Sequence, residues 1–142
     1  MKETIAPIGK ELLKKELNKK QFIRNTRKGG NEIYSLDFHS SPNVLKEIGR
    51  LREITFRASG GGTGKELDLD HYDTDDICYQ QLIVWSPEDE EIIGGYRYIK
   101  CANAIQNLPD IQLSTKHYFS FTSAFILDYL PYTIELGRSW VQ

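Results

Sequence analysis

The sequence has little of what secreted and membrane-spanning proteins rely on. Only two cysteines, Cys78 and Cys101, occur among 142 residues, and their spacing matches no metal or redox motif. No apolar run approaches the roughly 18 to 20 residues that a membrane span needs. The start of the chain is charged but lacks the apolar centre of a secretory signal. These absences predict a cytoplasmic protein with two unreactive thiols.

Positive and negative charges are distributed unevenly along the chain. Residues 66–91 hold ten acids and no lysine or arginine, whereas residues 1–30 hold nine lysines or arginines and three acids. We predict a basic helical arm over residues 1–31, with its helix within 8–28, and a folded portion over 32–142. The arm is either a solvated helix packed lightly on the domain or a basic surface. Such a surface would suit an acidic carrier protein, or anionic lipid at the inner face of the membrane.

Hydrophobic periodicity predicts one domain that mixes helices and strands. The chain is long enough to bury a core, and 39% of its residues are hydrophobic. Ser41 and Pro42 are typical of a helix start. Leu45, Ile48 and Leu51 follow at helical spacing, which predicts a helix up to about residue 58.

Strands are predicted over residues 32–39, 79–85, 91–100 and 133–142. The second and third would form a hairpin, and the apolar run of the second suggests burial on both faces. Gly94, Gly95 and Gly137 lie inside these strands, where glycine often marks a bulge or the close approach of another backbone. A short helix is predicted over residues 121–130.

Several common kinds of site are excluded. The run Ser59–Gly64 reads SGGGTG, but it follows a helix and lacks the first glycine of a phosphate-binding loop. We predict instead a mobile loop that covers substrate. The three histidines have no ligand spacing and the acidic run lacks the glycine of a calcium loop, so no metal site is expected. Aromatic residues lie outside the basic arm, which argues against nucleic acid as a partner.

One polar constellation is left. Asp68, Asp70 and Asp73 follow the glycine run, and the apolar residues between them should turn some of these acids inward. Arg97, Glu135 and Arg138 lie on later strands. Two interpretations stay open: Glu135 and Arg97 form an ion pair that rigidifies the sheet, or an acid holds the amino group of a small substrate while an arginine binds its carboxylate.

The order of these motifs resembles the N-terminal half of GNAT-type N-acyltransferases. The similar branch includes acyl-homoserine-lactone synthases and ornithine- and glycine-lipid synthases, whose relatives are termed hemolysin-like. The shared patterns run from about Ile33 to Gln142. They are Arg-x-x-x-Phe at Arg52 and Phe56, the acidic series at Asp68, Asp70 and Asp73, Gly-x-x-Arg ending at Arg97, and Glu-x-x-Arg at Glu135 and Arg138.

The resemblance implies an α+β fold of GNAT type, with a mixed, twisted sheet and flanking helices. It implies transfer of a fatty acyl group from acyl carrier protein or acyl-CoA to an amino-acid amine, with no cofactor bound in this chain. Glu135, Arg97 and Arg138 would be catalytic, and Glu135 or a water it holds would deprotonate the amine. Substrate would contact Arg52, Phe56, Asp68, Asp70 and Asp73.

The resemblance also implies a donor-binding turn after the last strand. The chain ends before such a turn, so we expect it to be a piece of a longer enzyme and to be inactive alone. The alternative function is a non-catalytic module that binds membrane or carrier protein and in which the acids and arginines are structural.

Overall fold

A five-stranded antiparallel sheet forms the centre of the protein, in the strand order β1-β2-β3-β4-β7. The computed structural model describes residues 1–107 and 110–142. A two-stranded ribbon of β5 and β6 lies apart from the sheet. The strands are β1 (Phe22–Asn25), β2 (Glu32–Leu36), β3 (Gln80–Ser86), β4 (Glu91–Lys100), β5 (Ile105–Asn107), β6 (Asp110–Ile111) and β7 (Ile134–Val141).

Within residues 1–107 and 110–142, four α-helices accompany the strands: α1 (Lys10–Glu16), α2 (Pro42–Ala58), α3 (His71–Thr74) and α4 (Cys101–Ala104). Short 3-10 helices span Ser114–His117 and Leu130–Tyr132, and a π-helical turn spans Phe125–Tyr129. In the described part of the chain, no helix is long and apolar enough to cross a membrane. The α+β class expected from the sequence is confirmed.

The main core lies between α2 and one face of the sheet. The predicted periodicity of α2 is confirmed, because Val44, Leu45, Ile48 and Leu51 are all buried there. A second core lies beside it, under the irregular segment between β4 and β7, and is built around Tyr72, Tyr79, Ile99, Cys101, Ile111, Leu113 and Leu130. The polar site described below lies where these two cores meet the sheet.

The start of α2 is capped differently from expectation. Ser41 occupies the N-cap position, but its side chain makes no capping hydrogen bond. The Glu16 carboxylate from α1 accepts hydrogen bonds from the backbone N–H groups of Asn43 at 2.9 Å and Val44 at 3.0 Å. A negative charge at a helix N-terminus is favourable because it satisfies N–H groups that have no partner inside the helix. Glu16 therefore fastens α1 onto α2.

Three expectations about the elements were wrong, and a fourth is confirmed. The helix of the basic arm is limited to α1, and residues 22–25 instead form β1, which pairs with β2. The sheet is antiparallel at every pairing between described strands, whereas a mixed sheet was expected. β3 alternates between buried and half-buried positions, so one face of it packs on the main core and the other is only partly covered. The short helix predicted over residues 121–130 is confirmed, with helical turns from 123 to 130 that are π-helical over Phe125–Tyr129.

Gly94 and Gly95 have the close approaches that the sequence suggested, whereas Gly137 has only ordinary contacts. A Cβ atom on Gly94 would lie 2.7 Å from the carbonyl oxygen of Trp140, and one on Gly95 would overlap the carbonyl oxygen of Leu82. A β-bulge was expected at Gly137 in β7, and the bulge begins one residue later. Arg138 and Ser139 form a β-bulge opposite Tyr96, since the pairing shifts between Gly95 and Arg97.

Candidate active site

Arg52 on α2 is the centre of a buried ionic cluster. Its side chain is fully buried, and it lies against two carboxylates from the loop that follows the helix. Nε donates to Asp68 Oδ2 at 3.2 Å, and the Nη atoms donate to Asp73 Oδ1 at 3.3 Å and Oδ2 at 3.0 Å. Nη2 also donates to the backbone carbonyl of Asp68. Arg52 thus fixes the loop against α2, and its guanidinium has little capacity left for a substrate.

Arg97 enters the same cluster from β4. Its Nη1 donates to Asp70 Oδ1 at 2.8 Å and to Asp73 Oδ2 at 3.1 Å. The guanidinium also lies over the ring of Tyr79, 5.0 Å from the centroid, and within 5.7 Å of the ring of Tyr72. Its Nε is buried and has no hydrogen-bond partner among the described residues.

The two arginines keep Asp73 ionised inside the protein. Burial alone would raise the pKa of this carboxyl, but Arg52 and Arg97 lower it below its ordinary value. Burial would likewise lower the pKa of Arg97, and Asp73 and Asp70 raise it instead. Gln81 supports the arrangement by donating to Asp73 Oδ1 at 3.0 Å. Each buried charge of the ionic cluster is therefore paired, which offsets the cost of burying it.

Arg138 is the most accessible cation of the cluster. Its side chain is 35% exposed, and its Nη atoms lie 3.4 Å from Asp68 Oδ2 and 3.7 Å from Asp70 Oδ2. The residue has φ +51°, an unusual backbone conformation for a side chain other than glycine. The bulge in β7 produces this conformation and turns the guanidinium toward the aspartates. Three arginines and three aspartates thus form one group with balanced formal charge.

Glu135 lies in a separate set of hydrogen bonds on β7. Tyr79 and Ser114 donate their hydroxyls to Oε1 at 2.6 Å each, and Thr115 donates its hydroxyl to Oε2 at 2.5 Å and its backbone N–H at 3.4 Å. The predicted Glu135–Arg97 ion pair is wrong. Arg97 contacts Asp70 and Asp73 instead. Tyr79 lies between Arg97 and Glu135, because its ring faces the Arg97 guanidinium and its hydroxyl donates to the Glu135 carboxylate.

The electrostatic state of Glu135 differs from that of the aspartates. It is 8% exposed and forms no ion pair with any cation in the described ranges. Burial would raise its pKa, but the hydrogen bonds from Ser114, Thr115 and Tyr79 lower it below the ordinary value. The carboxylate is therefore ionised, and its negative charge is stabilised by neutral donors only. A cationic or partly cationic nitrogen beside it would be favoured.

Comparison with known proteins identifies the family. A family model described as an acetyltransferase (GNAT) domain matches residues 51–142. The chain belongs to the GNAT acetyltransferase family. The match begins within α2, one residue before Arg52, and includes both the ionic cluster and Glu135.

Two curated relatives are similar along nearly the whole chain. Both are named glycine N(alpha)-acyltransferase, one from Phocaeicola vulgatus and one from Bacteroides thetaiotaomicron, and each is 54% identical over 99% of this chain. The chain covers 44% and 42% of their respective lengths, so it spans less than half of each relative. No solved structure matches the chain.

In this GNAT chain the predicted site residues separate into three groups. Arg52, Asp68, Asp70, Asp73, Arg97 and Arg138 come together in the ionic cluster. Glu135 lies next to it, behind Tyr79. Phe56 lies in neither group, since its ring packs against the main core. The functional roles of all eight residues stay predictions. No group of three His, Cys, Asp or Glu side chains in residues 1–107 and 110–142 is placed to hold a metal ion.

Glu53 is a residue that the sequence reasoning missed. It is buried, and it accepts hydrogen bonds from Thr63 N at 2.9 Å, Thr63 Oγ1 at 2.7 Å, Gly64 N at 2.7 Å and Arg57 Nε at 2.7 Å. Burial would raise its pKa, but these donors lower it to about 2. The glycine run, predicted to be a mobile cover over substrate, is tied to α2 through Glu53. The sequence pattern that indicates such a role is a glutamate on the buried side of a helix, shortly before a glycine-rich loop.

A cavity of about 480 Å³ lies beside Tyr72, and none of the predicted site residues lines it. Tyr72 forms part of its wall and also lies beside the Arg97 guanidinium. The remaining wall residues are His71, Thr74, Asp75, Asp76, Ile77 and Gln112.

Proposed function

We propose that this chain is the acceptor-side part of an N-acyltransferase that moves a fatty acyl group from acyl carrier protein or acyl-CoA to the amine of an amino acid. Glycine is the first candidate acceptor. The proposal is supported by membership of the GNAT family and by the names of the two relatives. The product would be an acylated amino acid or an aminolipid, as the resemblance to acyl-homoserine-lactone and ornithine-lipid synthases also implies. A cytoplasmic location is part of this proposal.

The observation that carries the proposal is the buried, ionised Glu135 without a cationic partner in the described structure. In the reaction the amine nitrogen attacks the thioester carbonyl carbon, a C–N bond forms and the C–S bond breaks. Positive charge develops on the nitrogen before its proton leaves with the thiol or with solvent. The Glu135 carboxylate, fixed beside the amine nitrogen, would stabilise that charge either directly or through a bound water that takes the proton.

The ionic cluster would position the acceptor side of this site. Arg52 and Arg97 hold Asp68, Asp70 and Asp73 in place. Arg138 is partly exposed and its ion pairs are long, so its guanidinium would bind the carboxylate of the amino acid. Phe56 would act indirectly, through the packing of α2.

The function is tested with the protein as its gene encodes it. Acyl-CoA and acyl carrier protein thioesters are offered with glycine, alanine and ornithine, and N-acyl products are measured by mass spectrometry. The proposal expects an N-acyl amino acid from at least one donor, with glycine preferred. Absence of N-acyl product from both donors with all three acceptors would overturn it.

A non-catalytic module is the second candidate. It is supported by Arg52, whose fully buried guanidinium already donates its hydrogen bonds to Asp68 and Asp73 and has little capacity left for a substrate. In that case the cluster only stabilises the fold. The activity assay separates the two candidates, because a module gives no product while its stability still depends on the cluster.

A further inference from the structure

The first edge strand carries the most basic surface of the protein. Beyond Leu17 and before Glu32 the chain contains no acid, and its cations are Lys19, Lys20, Arg24, Arg27 and Lys28. All five side chains are exposed, and they lie along β1 or in the turns at its two ends. None forms an ion pair with an acid in the described residues.

Nearby acids are engaged elsewhere. Glu16 turns its carboxylate to the N-terminus of α2. Glu32, which pairs with Asn25 across the hairpin, accepts a hydrogen bond from the Tyr34 hydroxyl at 2.7 Å. By contrast, Lys14 on α1 pairs with Glu11 and Glu90. The five cations of the hairpin therefore have no acid within ion-pairing distance in the described residues, although Glu32 keeps its negative charge on the neighbouring strand.

Apolar side chains lie among these cations. Ile23 is 54% exposed and Phe22 is 38% exposed. Ile23 is the extra residue of a bulge, because Phe22 pairs with Tyr34 and Arg24 pairs with Ile33. The turn from β1 to β2 is fixed by hydrogen bonds between Thr26 and Asn31. The hairpin therefore presents cations and apolar groups together on a defined edge.

We infer that this basic hairpin edge docks the protein on an anionic lipid surface. Lipid headgroups supply the negative charge that the five cations lack, and the boundary to the acyl chains accepts Ile23 and Phe22. Basic side chains mixed with exposed apolar ones are the combination that binds at the interface of an anionic bilayer. An acidic protein is the competing occupant, and binding to vesicles that contain no protein excludes it. The inference is independent of acyl transfer, since no hairpin residue belongs to the ionic cluster or to the Glu135 site.

The test measures sedimentation of the intact protein with vesicles. Phosphatidylcholine vesicles with about 30 mol% phosphatidylserine are compared with pure phosphatidylcholine, at about 0.1 M and about 0.5 M salt. Each basic residue near such a surface contributes roughly a fivefold gain in partitioning. The Lys20→Gln/Arg24→Gln double variant is therefore expected to bind roughly 25-fold more weakly, and Ile23→Ser to weaken binding as well.

The matched control removes two exposed lysines elsewhere, in the Lys46→Gln/Lys65→Gln double variant. It has the same net charge as the hairpin variant, and we expect it to bind as the unmodified protein does. Circular dichroism checks that all variants stay folded, which their exposed positions favour. The inference fails if the unmodified protein ignores anionic vesicles or if the hairpin variant binds them equally well. It also fails if the protein binds an acidic carrier protein through the hairpin but does not bind vesicles. It fails as well if the hairpin variant differs from the unmodified protein only in self-association through the exposed edge strand.

Discussion

Replacing Arg52 by methionine tests whether the ionic cluster holds the fold together. The change keeps most of the side-chain volume but removes the cation between Asp68 and Asp73, two carboxylates that are about as buried as Arg52 itself. Breaking a buried ion pair by removing one partner costs about 3 to 5 kcal/mol. The lower end applies here, because Asp73 keeps Arg97 and Gln81, and Asp68 keeps the longer contact to Arg138.

The free energy of unfolding is measured by urea denaturation followed by circular dichroism. We expect Arg52→Met to lose about 3 kcal/mol, which corresponds to a fall of roughly 10 °C in Tm for a domain of this size. Lys46→Met is the control, since Lys46 is exposed on the same helix and its loss should change stability by no more than about 0.5 kcal/mol. A loss below about 1 kcal/mol for Arg52→Met would refute the reasoning that two buried carboxylates depend on this arginine.

Three further variants test separate parts of the structure. Because the pKa of Glu53 is lowered from 4.5 to about 2, its contribution to stability is present above pH 4.5 and is lost as pH falls toward 2. We therefore expect Glu53→Gln to be less stable than the unmodified protein at neutral pH. Between pH 4.5 and about 2 the variant should lose less unfolding free energy than the unmodified protein does. An unchanged slope of unfolding free energy against pH would contradict this. Gly94→Ala brings a Cβ to 2.7 Å from the Trp140 carbonyl oxygen. It should lower the free energy of unfolding, measured by urea denaturation, by about 1 to 3 kcal/mol. Unchanged stability would show that β4 and β7 can move apart to make room for the methyl group at no cost. Arg138→Gln should raise the KM for the amino-acid acceptor more than it lowers kcat, and an unaltered KM would remove the carboxylate-binding role from Arg138.

Each of these variants has a matched control. Gly9→Ala places a Cβ where no atom lies within 4 Å, so it should cost no more than the loss of a glycine N-cap on α1, below about 1 kcal/mol. Glu66→Gln changes an exposed glutamate of the loop that Glu53 anchors and should leave the pH slope unaltered. Arg24→Gln removes an exposed arginine far from the site residues and should leave the acceptor KM as it is.

The elements that depend on local sequence could be predicted. The helix α2 follows from Pro42 and from the spacing of its leucines and isoleucines, and the β3–β4 hairpin follows from two apolar runs joined by a polar turn. The convergence of the aspartates was also within reach, because Leu69 packs against the main core and Tyr72 is buried in the second, which turns Asp68 and Asp73 inward.

The features that depend on pairing across the chain could not be predicted. The conformation of Arg138 results from the register of β7 against β4, which no local pattern encodes. The donors to Glu135 come from Ser114 and Thr115, in a segment without periodicity. β1 has only four residues, all exposed, and a bulge interrupts its pairing, so it lacks the alternation that marks a strand.

The central claim is that the charge of Glu135 serves the amine during acyl transfer. Its most direct test is the kcat of Glu135→Gln in the protein as its gene encodes it, measured beside its unfolding free energy and beside the exposed control Glu91→Gln. The account predicts a fall in kcat of about 100-fold or more for Glu135→Gln, with the protein still folded and the control unaffected. A kcat close to that of the unmodified protein would contradict the claim and leave Glu135 as a hydrogen-bonded anchor for the segment around Ser114.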